Sequence, residues 1–171
     1  NLKLSGCKIT SLKLLGSKKN KSTKTLFKIV DNLIKNKFTK KSVIVSLGGG
    51  VIGDICGLAS SLYLRGLIYM HIPTTVTAII DSCIGGKNAV NYNEVINSIG
   101  TYYHPKAVFI DFRSILSMPE REYLAGIPEI LKCGLIKNKK IIKNLIFNKN
   151  FILKRNFKIL EKLISETLKT K

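Results

Sequence analysis

Acidic side chains are few: the 171 residues include 10 Asp and Glu against 29 Lys and Arg, a formal charge of +19. A surplus of that sign first suggests nucleic acid or an anionic membrane as partner. Arginine is also scarce, at four of the 29 cations, and no arginine cluster or interleaved aromatic ladder supports specific nucleic-acid binding. Long apolar runs are missing, and nothing reaches the roughly 18 residues of a membrane span. The apolar opening is broken by Lys3, Lys8 and Lys13, with no small-residue cleavage pattern behind it, so no signal peptide is expected. Histidine occurs twice, as His71 and His104, neither with a second histidine at ligand spacing, and each reads as structural. Cys7, Cys56, Cys83 and Cys133 are too widely spaced for a metal knuckle or redox pair. Reduced, mostly buried thiols and a cytoplasmic location are therefore expected.

With 45% hydrophobic residues, the chain can bury a proper core. Its charge is unevenly spread. Residues 1–41 carry 12 Lys and one Asp, residues 42–132 six basic and seven acidic side chains, and residues 133–171 eleven basic and two acidic. A neutral middle thus lies between two basic flanks. Phe, Ile, Lys, Asn and Tyr, whose codons are AT-rich, supply 75 of the 171 residues. Codon bias explains a solvated lysine surface more simply than selection for binding. The first residue is Asn1 and not Met, which suggests a fragment or a processed product.

Over residues 23–36, Leu26, Ile29, Val30, Leu33 and Ile34 recur at helical spacing. Residues 42–47 form a short β-branched run ending in glycines, which predicts a buried strand. A helix is expected from about Gly53 to Tyr63, a second strand over 67–73 and a third over 107–112. Strand, glycine turn, helix, strand predicts a doubly wound parallel sheet. From Pro119 the texture becomes helical, with an apolar stripe that includes Leu131, Leu135, Ile136, Ile141, Ile142, Leu145 and Ile146, and a last helix over 151–168. The boundary is placed near Met118, between an α/β part (1–118) and the beginning of an all-helical part (119–171).

Four segments carry possible chemistry. Gly48-Gly49-Gly50-Val51-Ile52-Gly53-Asp54, between strand and helix, suits close approach of a pyrophosphate to backbone N–H groups, or a tight structural turn. The next strand ends without the acid that normally holds a ribose. Pro73-Thr74-Thr75 places two hydroxyls at a strand's carboxyl end, as ligand contacts or as a helix cap. The segment 81–91 (DSCIGGKNAVN) brings Asp81, a glycine pair and Lys87 together, as an anion site or a polar surface loop. Glu129 and Lys132 stand at i and i+3, a spacing that alone favours an ordinary helix-surface ion pair.

Taken together, LGGGVIGD, YLRG, IPTT, DSCIGGKNAVN, NSIGTYYHP, FIDF and MPEREYLAGIPEILKCG resemble the 3-dehydroquinate synthases of the sugar-phosphate cyclase family, nearly continuously from Ser46 to about Lys137. The resemblance implies an incomplete Rossmann-like NAD domain followed by the start of an all-helical metal and substrate domain. It implies a carbon–oxygen lyase of the shikimate pathway, acting on 3-deoxy-D-arabino-heptulosonate 7-phosphate and releasing phosphate. NAD oxidises a ring hydroxyl, phosphate is eliminated, the ketone is reduced again and the ring closes by aldol addition. The cofactors implied are NAD and a divalent metal, zinc or alternatively cobalt, and the full-length protein is implied to be a homodimer.

Carried over by position, Lys21, Gly49, Gly50, Val51, Asp54, Thr74, Thr75, Ser117 and Glu122 fall on NAD-contacting positions. Asp81 and Lys87 fall where nicotinamide meets substrate. Arg65 and Asn97 resemble phosphate contacts, Arg65 across a subunit interface. Glu129 matches a metal ligand, and Lys132 the lysine beside metal and substrate, so the resemblance outweighs the ion-pair reading. In the catalytic set it places Lys132, Asp81 and Lys87.

Four departures stand out. Val95-Ile96-Asn97 replaces Gly-Lys-Asn, and the Gly-Glu-x-x-Lys ribose segment appears as Ser17-Lys18-Lys19-Asn20-Lys21. Pro128 precedes the metal glutamate, and the family's two metal-binding histidines lie beyond Lys171, which implies a chain inactive by itself. The competing readings are a sister cyclase, a glycerol-type dehydrogenase, and a decayed non-catalytic protein whose basic flanks bind nucleic acid.

Overall fold

The computed structural model describes residues 6–171. Asn1 and Lys3, on which part of the reading of the opening segment rests, lie outside the described residues.

Helix α1 (Thr23–Lys35) starts where the Ser22 hydroxyl accepts the Thr25 N–H at 3.4 Å, and it buries Leu26, Ile29 and Leu33. Those three share one side of a 3.6-residue turn. Ile34 is one step round the helix from Leu33 and lies exposed, contrary to the predicted stripe.

Strands β1 (Val43–Gly48) and β2 (Ile68–Pro73) pair in parallel, with Ile44 opposite Tyr69 and Ser46 opposite His71. Helix α2 (Gly50–Leu62) packs on this pair, and α1 packs on α2. The expectation that residues 42–47 are buried throughout is corrected. Ile44 and Ser46 face the helices, whereas Val43, Val45 and Leu47 are exposed on the opposite face. A parallel sheet buries both faces only when helices cover both. The described helices cover one face of β1.

Strands β3 (Lys87–Tyr92) and β4 (Val95–Tyr102) form an antiparallel hairpin, whose first strand takes up residues 87–91 of the segment that reads as an anion site or a polar surface loop. Asn93 and Glu94, at φ of 45° and 64°, make its two-residue turn, the backbone that brings antiparallel strands back with matching twist. The hairpin lies against α2 where Asn88 meets Gly57. A Cβ on Gly57 would fall 1.9 Å from Asn88 Oδ1, so glycine is required there. Strand β5 (Ala107–Val108) joins β2, giving the order β1-β2-β5. It is shorter than the predicted 107–112, because Asp111 Oδ1 accepts the Arg113 N–H at 3.0 Å and turns the chain into α3 (Arg113–Leu116).

Helices α4 (Glu120–Ile136), α5 (Lys139–Phe147), α6 (Lys149–Leu153) and α7 (Phe157–Thr170) follow. The predicted stripe on α4 is rotated. The buried positions are Tyr123, Gly126, Ile130, Cys133 and Gly134, while Leu131, Leu135 and Ile136 are exposed. The single last helix expected over 151–168 is two helices, broken at Arg155 (φ 54°), after which Asn156 caps α7 by accepting the Ile159 N–H at 3.2 Å.

Two cores result. One joins Leu26, Ile29, Ile44, Ile55, Leu58, Tyr69 and Val90 of the α/β part. The other joins Tyr123, Ile130, Ile141, Ile152, Leu160 and Ile164 of the helices with Val76, Ile79 and Ile80, which follow β2. Ile79 and Ile80 belong to one turn of π-helix, Ala78–Ser82.

Candidate active site

At the end of β1 the chain passes from Gly48 through Gly49, the N-cap of α2, with no side-chain cap and no acid in the first turn. The opening N–H groups of a helix have no carbonyl within it, and here they carry the positive end of its dipole. Gly49 faces Thr75: a Cβ on Gly49 would lie 3.0 Å from Thr75 Cγ2. The missing side chains thus leave the backbone bare where an anion can approach. Thr75 Oγ1 accepts the Ala78 N–H at 3.2 Å and the Thr74 N–H donates to the Gly48 carbonyl at 3.0 Å, so the threonine pair also has a structural task. The Ser82 hydroxyl, 3.2 Å from a Cβ built on Gly50, is buried without a hydrogen-bond partner.

Beneath the loop, Tyr69 OH lies 3.0 Å from both Ser46 Oγ and the Gly53 carbonyl. His71 is buried against Gly53, and burial pushes its pKa below the ordinary 6.5. Both histidine and tyrosine support the loop from behind, which agrees with the structural reading of His71.

A cleft of about 820 Å³ opens between the α2 end of the molecule and the hairpin, and Asp54, Asp81, Lys87 and Asn97 are among its walls. Four residues singled out from sequence are therefore brought together. Lys21 stands behind them. Its ammonium is 2.5 Å from Asp54 Oδ2 and donates to Asn97 Oδ1 at 2.5 Å. Burial raises the Asp54 carboxyl above its usual range, and the Lys21 ammonium opposes that rise.

Lys171 enters the same cleft, where it pairs with Asp81 and donates to the Ile80 carbonyl at 2.8 Å. Sequence reading missed it, because it is one of eleven cations in the last flank and only the fold of α7 gives it an address.

Glu129 and Lys132 form the ion pair that their spacing suggests, one turn of α4 apart. The bond to Glu129 raises the Lys132 ammonium further, and the Asp81 carboxylate acts on it in the same direction. Among the described residues no group of three His, Cys, Asp or Glu could hold a metal. Arg65 (φ 63°), Ser117 and Glu122 are exposed and do not line the cleft.

Comparison with known proteins places this geometry. The structure of 2-epi-5-epi-valiolone synthase from Streptomyces hygroscopicus subsp. jinggangensis 5008, with NAD+ and Zn2+ bound, superposes with a TM-score of 0.86 at 30% identity, covering 90% of this chain and 44% of that one. A 2-deoxy-scyllo-inosose synthase complexed with carbaglucose-6-phosphate, NAD+ and Co2+ superposes with a TM-score of 0.71 at 34% identity, over 74% and 34% of the two chains. The class is thus that of the sugar-phosphate cyclases, built on a Rossmann-like α/β fold. The family model described as 3-dehydroquinate synthase N-terminal matches residues 11–125. The 3-dehydroquinate synthase of Dictyoglomus thermophilum is 44% identical over 150 residues, 88% of this chain and 42% of the relative. The chain belongs to the 3-dehydroquinate synthase family. It spans less than half the length of the curated relatives it matches.

Proposed function

We propose that this chain is the cleft-forming portion of a cytoplasmic 3-dehydroquinate synthase, a carbon–oxygen lyase that turns 3-deoxy-D-arabino-heptulosonate 7-phosphate into 3-dehydroquinate and phosphate. The observation that carries the proposal is the convergence of Asp54, Asp81, Lys87 and Asn97 on one cleft beside the glycine start of α2. The family membership and the synthase relatives support the substrate assignment. Buried, unbridged Cys56, Cys83 and Cys133 suit a reducing compartment.

The residues present fit NAD. Gly49, Gly50 and Val51 offer uncapped N–H groups at a side-chain-free surface, and Asp54, Thr74, Thr75 and Lys21 flank it. Bound there, NAD would accept a hydride from the substrate carbon and return it, which acidifies the neighbouring C–H while the ketone lasts. Lys87 and Lys171 would hold the anionic substrate, and Asp81, between them, would orient its hydroxyls. Lys132, paired with Glu129, would supply positive charge where the oxyanion develops. For a metal, the described residues supply one carboxylate, Glu129, whereas a catalytic zinc site takes three protein ligands. The other ligands would have to come from outside this chain, which by itself is then inactive. Arg65, exposed on its turn, would serve a second copy in a homodimer. Ser117 and Glu122 form a further cofactor segment at the boundary near Met118.

The test is turnover by the complete gene product with the heptulosonate phosphate, NAD+ and zinc. Release of phosphate with dehydroquinate and no net NADH is expected. Net NADH accumulation on a polyol would instead mark a dehydrogenase.

A further inference from the structure

The cleft's cofactor side and its phosphate side are joined by a single ammonium. Lys21 Nζ is 2.5 Å from Asp54 Oδ2 on α2 and 2.5 Å from Asn97 Oδ1 on the hairpin. Its main chain grips the same hairpin, because the Lys21 carbonyl accepts the Asn91 N–H at 2.9 Å and Asn91 Oδ1 in turn accepts the Asn97 N–H at 3.0 Å. Asn97 is held at φ 54° by this arrangement. The Lys21 side chain is 14% exposed and is not itself a wall of the cleft, although both its partners are. Ile96, next to Asn97 in β4, is 75% exposed and is apolar.

We infer that Lys21 is a positioning residue that couples occupancy of the two subsites, so that cofactor binding tightens phosphate binding and the reverse. This rests on the proposed reading of Asp54 as cofactor-side and Asn97 as phosphate-side. In the empty cleft the Asp54 carboxylate neutralises the ammonium. A cofactor hydroxyl that donates to Asp54 shares that carboxylate with Lys21 and leaves more of the ammonium directed at Asn97. An anion held by Asn97 then meets a stronger positive potential. Linkage makes the effect equal in both directions.

The experiment is calorimetric titration of the complete gene product with inorganic phosphate, with and without saturating NAD+, and with NAD+, with and without phosphate. In the unaltered protein each ligand is expected to tighten the other by roughly five-fold or more, the lower range of measured couplings. In Lys21→Met, NAD+ should bind more weakly but, once saturating, should leave phosphate affinity unchanged, and Lys21→Arg should retain coupling. Equal phosphate affinity with and without NAD+ in the unaltered protein overturns the inference without any variant. So does coupling that survives in Lys21→Met. Loss of all phosphate binding or of all NAD+ binding in Lys21→Met also overturns it, by making Lys21 a direct contact. Absence of NAD+ binding in the unaltered protein would sink the functional reading as well, and is distinguishable from the other outcomes.

Discussion

Gly57→Ala tests how the hairpin is seated on the α/β part. The added Cβ would lie 1.9 Å from Asn88 Oδ1 and 2.5 Å from its Cγ, so the amide must leave. Asn88 is buried, and its Nδ2 donates to the Gly86 and Tyr103 carbonyls at 2.8 Å each. Losing both bonds costs about 2–3 kcal/mol. Forcing a side chain aside in a packed site adds about 1–3, and the better helix propensity of alanine returns about 1. The net destabilisation is about 2–5 kcal/mol. Urea unfolding of the complete gene product measures it, and hydrogen exchange should show the loss concentrated in residues 87–102. Asn88→Ala removes the same bonds without the clash, so the double variant should cost far less than the sum of the singles. Additivity within about 0.5 kcal/mol, or a Gly57→Ala protein as stable as the parent, would refute this account.

Three other substitutions probe the surroundings of the site. His71 has a folded pKa below its ordinary 6.5, so the unfolded chain binds the proton more readily and stability falls as pH drops below about 6.5. His71→Gln should flatten that part of the stability–pH curve between pH 7 and 5, and an unchanged slope would contradict it. Ser82→Ala removes a buried hydroxyl with no partner, so stability should hold or rise by about 1 kcal/mol. If the hydroxyl serves the ligand, NAD+ affinity should fall in the same variant. Asn156→Ala deletes the cap of α7 and should cost about 1 kcal/mol in a urea titration, with Asn156→Asp retaining most of it.

The elements legible in the sequence were those carried by unambiguous periodicity or punctuation. Residues 43–73 alternate strand, glycine turn, helix and strand, and they fold that way. The hairpin was not legible: Lys87 to Asn91 reads as polar because Asn88 fills a buried notch through hydrogen bonds, a task no hydropathy pattern records. The stripe on α4 was misplaced because Leu131, Leu135 and Ile136 are as apolar as the residues that face inward, and two of the inward positions are glycines. Among the proposed site residues, Asp54, Asp81, Lys87 and Asn97, which the resemblance singles out, line one cleft. Lys171 stayed hidden among the flank lysines, since composition cannot tell a solvated lysine from one aimed at a carboxylate. The +19 charge bears on the site through few members: Lys87 and Lys171 in the cleft wall, and Lys21 behind it.

One turn of π-helix serves both halves of the molecule. Ile79 and Ile80 are fixed in the helical core, while Asp81 and Ser82, the next two residues, form part of the cleft wall. Lys171, at the end of α7, grips the Ile80 carbonyl and Asp81 together. The helices and the cleft therefore share one segment of five residues. A cavity cut into the helical core, as by Ile164→Ala, is expected to disturb the Asp81 carboxylate through that segment. Damage far from the ligands would then register as loosened binding as well as lost stability.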